Sequence, residues 1–205
     1  MELWTIQSEA VYDTFKNIGV LRADERFIDK DMIFYYKWMA DMMKKRIGTP
    51  VLKNIKYPIW AWYQWRDSKH KRPDLRVSAY LERGTKGVLL ELEVEEKDVL
   101  LSDFMEFNDV LNYRYITDTE EDYEKFYNDL ESYGYSHHDL QESDMKCDIV
   151  KKFNLELIKS WEKIFDLNRN IAGNWCGKRD DCPIQATMWQ IRLEQVISVK
   201  HFIAK

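Results

Sequence analysis

Glycine and proline are scarce in this sequence, with 7 glycines and 4 prolines in 205 residues. Flexible linkers, collagen-like tracts and glycine-rich phosphate loops are therefore excluded. The sequence also contains no Gly-x-Ser-x-Gly elbow, Walker loop, dinucleotide-binding glycine fingerprint or protein-kinase signature. These absences exclude α/β-hydrolases, P-loop NTPases and Rossmann dehydrogenases as function classes.

Cysteine is also scarce, and its number is odd. Cys147, Cys176 and Cys182 are typical of reduced thiols in a cytoplasmic protein. Cys176 and Cys182, even with His201, have neither the spacing nor the number of ligands of a zinc site, so no metal is expected. The sequence has no secretory signal pattern and no apolar run long enough to span a bilayer. We therefore expect a cytoplasmic protein with no membrane partner.

What the chain does contain is typical of a folded domain. Hydrophobic residues make up 45% of it and charged residues 33%, which excludes a disordered chain. Its length predicts a single domain over residues 1–205. The net charge of -5 argues against general binding to polyanions but is compatible with a local basic patch. Eight tryptophans indicate a surface or pocket rich in aromatic rings.

Apolar periodicity predicts an α+β protein with a largely antiparallel sheet. Helices are predicted at 9–18 (between an N-cap at Ser8 and a C-terminal Gly19), 31–47, 103–111 (capped by Asp103), 119–133 and 149–165. In the second helix, Phe34, Trp38 and Met42 form one apolar stripe. Strands are predicted at 3–6, 57–65, 75–82, 88–94, 99–101, 184–191 and 197–202, the last two as a pair. The segment near 119–165 is predicted to be a helical insert.

The most unusual segment is the aromatic run at 57–65. Alternation along a strand puts Trp60 and Trp62 on one face and Tyr63 on the other, so large apolar groups lie on both faces. Such a strand is either packed between two layers or has one face on a ligand pocket, where the rings stack on a base or a nicotinamide. Both interpretations remain open.

A basic loop follows this strand directly. Lys69, Lys71, Arg72 and Arg76 lie within residues 66–76 of an otherwise acidic protein. Basic residues next to an aromatic strand are typical of contact with a phosphate or a nucleic acid. A charged hairpin loop that is kept soluble by lysine and arginine explains the same pattern.

The late strand at 184–190 alternates strictly, so that Gln185, Thr187 and Trp189 share one face. Neutral hydrogen-bonding side chains beside an indole can orient an amide or sugar ligand. A half-solvated strand face explains the pattern equally well. His137 and His138 lie in a polar connection without metal-site spacing, and we interpret them as surface histidines.

Four blocks of the sequence together resemble an uncharacterised prokaryotic family, a domain of unknown function. The blocks lie at 3–21, 56–63, 99–104 and 184–189, and they include LWTIQ, KYPIWAWY, VLLSDF and IQATMW. They extend over nearly the whole chain, and their order makes the resemblance fairly specific. The resemblance implies no established activity.

The order of these blocks is also similar to that of the ADP-ribosyltransferases, especially the bacterial toxins that modify DNA. Those proteins begin with a strand bearing a His-hydrophobic-Thr motif, where this sequence has Thr5-Ile6-Gln7, with Gly19 at the family's spacing. The resemblance implies a split, largely antiparallel sheet with flanking helices. It also implies that Thr5 and Gln7 bind NAD and that the aromatic strand, with Trp60, Trp62 and Tyr63, shapes the nicotinamide pocket.

This sequence departs from the ADP-ribosyltransferases at their catalytic glutamate, whose position is occupied by Thr187. The glutamate stabilises an oxocarbenium-like state with its negative charge, which a threonine cannot supply. Gln185 or Gln190 could contribute only hydrogen bonds, so a carboxylate such as Glu91, Glu93 or Glu194 would have to be recruited from elsewhere.

Two functions follow from these sequence patterns. The first is a nucleotide-binding domain that takes NAD as ligand or substrate. If it is an enzyme, which the sequence leaves open, a nucleic acid or a protein is the acceptor of ADP-ribose. The second is a non-catalytic nucleic-acid or protein-binding module of a bacterial defence or toxin-type system.

Overall fold

The computed structural model describes residues 1–78, 80–141, 147–169 and 179–205. Within these ranges it contains eight strands and six α-helices. The strands are β1 (Glu2–Ser8), β2 (Val20–Leu21), β3 (Ile59–Gln64), β4 (Lys86–Glu93), β5 (Leu100–Asp103), β6 (Ile184–Met188), β7 (Ile191–Arg192) and β8 (Val196–Ile203). The helices are α1 (Glu9–Ile18), α2 (Ile33–Arg46), α3 (Phe104–Leu111), α4 (Glu120–Ser132), α5 (His137–Gln141) and α6 (Asp148–Ser160).

Six of these strands form one sheet in the order β5-β6-β3-β1-β4-β8, and β2 and β7 form a separate ribbon. The pairs β1–β3, β1–β4, β3–β6, β4–β8 and β2–β7 are all antiparallel. The predicted α+β class and largely antiparallel sheet are therefore confirmed. In the part of the chain that the structure describes, no helix combines the length and apolar character needed to cross a bilayer.

The chain divides into two compact units. One comprises Met1–Leu101 and Pro183–Lys205 and includes α1 and α2, and the other comprises Ser102–Cys182 and includes α3 to α6. The helical insert predicted near 119–165 falls within the second unit. That the chain is one domain remains a prediction.

Helix α1 packs against one face of the sheet in the first unit. Its ends are those predicted: the Ser8 side chain accepts a hydrogen bond from the backbone N–H of Val11, and Gly19 terminates the helix with a φ of 81°. Phe15 of α1 is 1% exposed and joins alternate side chains of the central strands, including Leu3 and Leu90, in the core. Burial of each such side chain contributes about 1.5–3 kcal/mol.

Helix α2 buries only part of the predicted stripe: Trp38 is buried as predicted, but Phe34 is not, and Met39 and Met43 complete the buried side. Met39 and Met43 are fully buried, whereas Phe34 is 48% exposed. The α2 sequence is apolar on several sides, so periodicity alone did not identify the buried side. In the fold, α2 meets the face of the sheet opposite α1, where the Tyr36 ring contacts the Trp60 ring edge-on at 5.4 Å between centroids.

The predicted strand at 75–82 is wrong for the residues that are described there, which form turns and bends. Asp74 explains the difference, because its carboxylate accepts a hydrogen bond from the backbone N–H of Arg76 and its carbonyl oxygen accepts one from Val77. An aspartate that bonds to the backbone two residues later stabilises a turn, and here this local chemistry overrides the alternating pattern.

The predicted pairing of the last two strands is also wrong. Strand β6 lies between β5 and β3, whereas β8 lies at the opposite edge of the sheet, beside β4. A short 3-10 helix at Leu193–Gln195 separates them, and the Gln195 side chain accepts a hydrogen bond from the backbone N–H of Arg192 at 2.7 Å. This connection is not a tight hairpin, so the two strands join different partners.

Hydrogen bonds between α6 and the loop after α3 organise the second unit. As predicted, Asp103 caps α3, accepting from the backbone N–H of Glu106 at 3.0 Å. The helix predicted at 149–165 is α6 followed by a 3-10 helix, Trp161–Phe165. Ser160 accepts from the backbone N–H of Ile116 at 2.9 Å, so a helix side chain satisfies a buried loop group.

Candidate functional site

Three neighbouring strands bring Trp4, Trp62 and Gln185 into one row across the sheet. The register places Trp4 of β1 opposite Trp62 of β3, and Trp62 opposite Gln185 of β6. Directly opposed residues of antiparallel strands project from the same face. The row therefore lies on a single face, which is the face that α2 meets.

A second row lies beside the first. Trp60 is opposite Thr187, each two residues from its counterpart in the first row. Four residues that the sequence analysis selected, Trp60, Trp62, Gln185 and Thr187, therefore share one face of the sheet. The indole rings of both tryptophans are half-buried, whereas Gln185 and Thr187 are buried.

The other three strand residues that were selected from the sequence, Thr5, Gln7 and Tyr63, project from the opposite face of the sheet. Thr5 is paired with Leu90 and Gln7 with Val88, both of which belong to the core beneath α1, and the Tyr63 ring packs against the same core. The Thr5 hydroxyl donates to the carbonyl oxygen of Trp60 at 3.0 Å and accepts from Gln7 Nε2 at 2.9 Å. The sheet thus separates the selected residues into two groups, and their roles as ligands of a cofactor remain predictions.

Two hydrogen-bond donors in the first row are buried without an acceptor. Trp4 is 5% exposed and Gln185 is 6% exposed, and neither Trp4 Nε1 nor Gln185 Nε2 has a partner among the residues that the structure describes. A buried donor without an acceptor costs about 1–3 kcal/mol, so native proteins usually provide a partner for such a group.

Thr187 is engaged within the fold. It is fully buried, and its hydroxyl donates to the carbonyl oxygen of Leu100 in β5 at 3.2 Å. The Thr187 hydroxyl proton is therefore already engaged in a hydrogen bond between β6 and β5.

A carboxylate is present near one end of the first row. Glu91 of β4 lies opposite Trp4, on the same face of the sheet. Glu2, two residues before Trp4 on β1, hydrogen-bonds to Glu91, and this bond is the main cause that raises the pKa of the Glu2 carboxyl. Of these two neighbouring carboxyl groups, Glu91 was selected from the sequence and Glu2 was not.

The predicted basic loop is a tight turn after β3. The backbone N–H of Trp65 donates to the carbonyl oxygen of Lys71 at 2.8 Å. Lys69, Lys71 and Arg72 are exposed, and the Lys71 ammonium lies over the Tyr63 ring, 5.3 Å from its centroid. The loop and the aromatic strand are therefore in contact through these two residues.

Arg76, the fourth predicted phosphate contact, is engaged elsewhere. Its guanidinium forms a two-pronged pair with the Asp74 carboxylate, with a shortest distance of 2.6 Å. Hydrogen bonds from the side chain and backbone of Arg76 lower the pKa of Asp74 to about 2. Arg76 thus carries its counter-ion within its own turn.

The two predicted surface histidines differ in their surroundings. His138 is exposed, whereas His137 is half-buried and its Nε2 lies 2.8 Å from the carbonyl oxygen of Tyr113. Within the described ranges no three His, Cys, Asp or Glu side chains are grouped as metal ligands would be. Cys176 lies outside those ranges.

Sequence reasoning missed Trp4. Strict alternation in the predicted strand 3–6 already put Trp4 and Ile6 on one face, but nothing local showed which strand would lie beside it. Only the register between β1 and β3 reveals that Trp4 extends the row of Trp62 and Gln185.

The fold and this site define an α+β protein with two buried, unpaired hydrogen-bond donors beside a half-buried tryptophan. Residues 2–197 match a family described as a domain of unknown function, DUF3841. The chain belongs to this family, which confirms the predicted membership of an uncharacterised family. No curated protein and no solved structure matches the chain, so the comparisons show no similarity to the ADP-ribosyltransferases.

Proposed function

We propose that the first unit binds a nucleotide-type ligand on the face of the sheet that carries Trp60, Trp62 and Gln185. The observation that carries this proposal is the pair of buried, unpaired donors, Trp4 Nε1 and Gln185 Nε2, in one row with Trp62. A nucleobase or a nicotinamide carboxamide presents acceptors to such donors and a flat ring to the indoles. NAD combines both features.

Transfer of ADP-ribose from NAD to a nucleic acid or a protein is the finer form of this proposal. That reaction needs a carboxylate near the nicotinamide ribose, and Thr187 is neutral and already hydrogen-bonded. Glu91 lies on the same face, opposite Trp4, and would have to provide that charge. Ligand binding is therefore the part of the proposal that the side chains support best.

The proposal is tested by the melting temperature with and without millimolar NAD in the wild type and in Gln185→Met. A ligand at a hundredfold its Kd adds about 2.7 kcal/mol, which is roughly 5–10 °C for a chain of this length. Gln185→Met keeps the side-chain length but removes the donor, so we expect the NAD-induced shift to be lost. Without ligand, we expect the variant to be as stable as the wild type or up to about 1 kcal/mol more stable.

Gln7→Met is the matched comparison, because it makes the same change on the opposite face. We expect Gln7→Met to retain the NAD-induced shift. If Gln7→Met loses the NAD-induced shift in melting temperature and Gln185→Met keeps it, the ligand binds instead on the face of the sheet that carries Thr5. The absence of any shift in the wild type would contradict the proposal.

The contact between Lys71 and Tyr63 favours a second candidate, non-catalytic binding of single-stranded nucleic acid. Exposed ammonium and guanidinium groups would contact phosphates while the neighbouring ring stacks on a base. A protein acceptor remains a prediction for which no described contact offers support.

For this second candidate, combined Lys69→Gln, Lys71→Gln and Arg72→Gln is expected to lower affinity for a single-stranded oligonucleotide. The slope of log K against log salt should fall by about 1 for each phosphate contact that is removed. Arg76→Gln should change the affinity little, because Arg76 is paired with Asp74. Fluorescence anisotropy over a range of salt concentrations measures both quantities, and binding that does not depend on salt would exclude this candidate.

A further inference from the structure

A lysine-rich cavity lies between α2 and the segment 49–57 in the first unit. Its volume is about 660 Å³, within the range of small-molecule sites, roughly 300–1,000 Å³. Lys37 and Lys44 contribute from α2, and Lys53 and Lys56 contribute from the segment. We propose that this lysine pocket binds a small anion with two or more phosphate groups, such as a pyrophosphate or the phosphates of a nucleotide.

The charges that line the lysine pocket are not balanced. Asp41 is the carboxylate in its lining, and it pairs with Lys44 at 2.8 Å. Lys56 lies 3.4 Å from a carboxylate oxygen of Glu25. Lys37 and Lys53 form no ion pair with any residue of the described ranges. A cavity with excess positive charge in a protein of net charge -5 attracts an anion rather than a neutral ligand.

Tyr57 adds a neutral donor to the same cavity. Its side chain lines the lysine pocket and is only 2% exposed, and its hydroxyl makes no hydrogen bond of good geometry within the described residues. Burial, followed by the nearby Glu25 carboxylate, raises the pKa of this hydroxyl, so it keeps its proton at neutral pH. A buried hydroxyl of this kind can donate to a phosphate oxygen.

The arrangement of the four lysines favours an anion with several charges. Lys44 and Lys56 have carboxylate partners, whereas Lys37 from the helix and Lys53 from the facing segment have none among the described residues, so a ligand with a single charge would leave one of these two unpaired. Lysine binds phosphate as a point charge, and several lysines suit several phosphate oxygens. A cavity of this volume has the size of a small-molecule site, which favours a small anion over an extended nucleic-acid strand. This inference does not rest on the proposed site at Trp62.

The test is calorimetric titration of the whole protein with inorganic pyrophosphate at constant ionic strength. We expect saturable binding with one site. The double variant Lys37→Gln and Lys53→Gln should weaken it at least tenfold, because each lost charged contact is worth about 1.5–3 kcal/mol and 1.4 kcal/mol corresponds to a factor of ten. Tyr57→Phe, which keeps the ring and removes the donor, should weaken binding by several-fold.

Lys86→Gln with Lys200→Gln is the matched control, because it removes the same net charge from exposed positions on β4 and β8. We expect its affinity to stay within about twofold of the wild type, since distant exposed charges are screened by salt. An equal loss of pyrophosphate affinity in the control would show that the effect comes from net charge alone, and this would overturn the proposal. Saturable binding that survives the Lys37 and Lys53 changes would also overturn it.

Two further titrations identify the source of the phosphates. Tighter binding of ADP than of pyrophosphate would indicate that the natural ligand is a nucleotide. Equal binding of the two would indicate that the pocket recognises the phosphates alone. Both results support the lysine pocket. Binding of a single-stranded oligonucleotide without binding of pyrophosphate would contradict it. Because the Gln185→Met variant leaves the lysine pocket intact, failure at one site is distinguishable from failure at the other.

Discussion

Replacement of Arg169 by methionine is expected to lower the free energy of unfolding by about 3–5 kcal/mol. The Arg169 side chain in the second unit is only 10% exposed. Its guanidinium contacts the Glu106 carboxylate, and its Nε lies 2.7 Å from an Asp118 oxygen. Removal of the arginine leaves the buried Glu106 without its positive partner, which is costly because a buried charge loses its hydration. Chemical denaturation followed by circular dichroism measures the loss.

Arg114→Met is the control for this prediction. Arg114 pairs with Asp109 at 3.4 Å, and its side chain is 52% exposed. Solvent screens such a pair, so we expect a loss below about 1 kcal/mol. Combining Arg169→Met with Glu106→Leu should recover much of the loss, because the uncompensated charge is then removed as well. Equal stability of Arg169→Met and the wild type would show that the Arg169 pairs contribute nothing.

Asn154→Leu is expected to destabilise the protein by about 2–4 kcal/mol. Asn154 on α6 is fully buried, and its Nδ2 donates to the Tyr113 hydroxyl oxygen at 2.8 Å and to the carbonyl oxygen of Leu140 at 2.9 Å. Leucine has a similar size but no donor, so two buried acceptors lose this partner, each at about 1–3 kcal/mol. The same denaturation measurement gives the result.

The backbone conformation of Tyr113 makes stability more sensitive to the loss of the Asn154 side chain. Its φ of 57° lies in the left-handed region, which a residue with a side chain occupies only when its surroundings hold it there. The bond to Asn154 and an edge-on contact with the Trp161 ring, 5.2 Å between centroids, are such constraints. Lys152→Leu, an exposed change on the same helix, should alter stability by less than about 0.5 kcal/mol. A similar effect for both variants would contradict a role for the Asn154 hydrogen bonds.

Local sequence signals were sufficient for most helix ends and strands. Ser8, Gly19 and Asp103 bond to backbone groups within three or four residues, so their effect does not depend on distant parts of the chain. Alternation in the predicted strand 88–94 is likewise local, and Leu90 and Leu92 of β4 lie in the core. The predicted strand at 75–82 was wrong because the turn at Asp74, which is also stabilised by a local hydrogen bond, overrides the alternating pattern.

Strand pairing could not be predicted from the sequence. Strands β6 and β8 are close in sequence, yet β6 pairs with β3 and β8 pairs with β4, both of which lie far earlier in the chain. The choice depends on which apolar faces can be buried together, and that is a property of the whole sheet. The same dependence explains why seven selected site residues fall on two faces of one sheet.

The sequence by itself determined the α+β class, the family, the aromatic strand and the shared face of Trp60 and Trp62, because composition and alternation are properties of neighbouring residues. Tertiary structure alone decided that Trp4 joins Trp62 and Gln185, that Thr5 and Gln7 lie on the other face, and that four lysines from two segments line one cavity. These relations arise from strand register and helix packing. Both are set by contacts between residues far apart in the chain, and a single sequence does not reveal them.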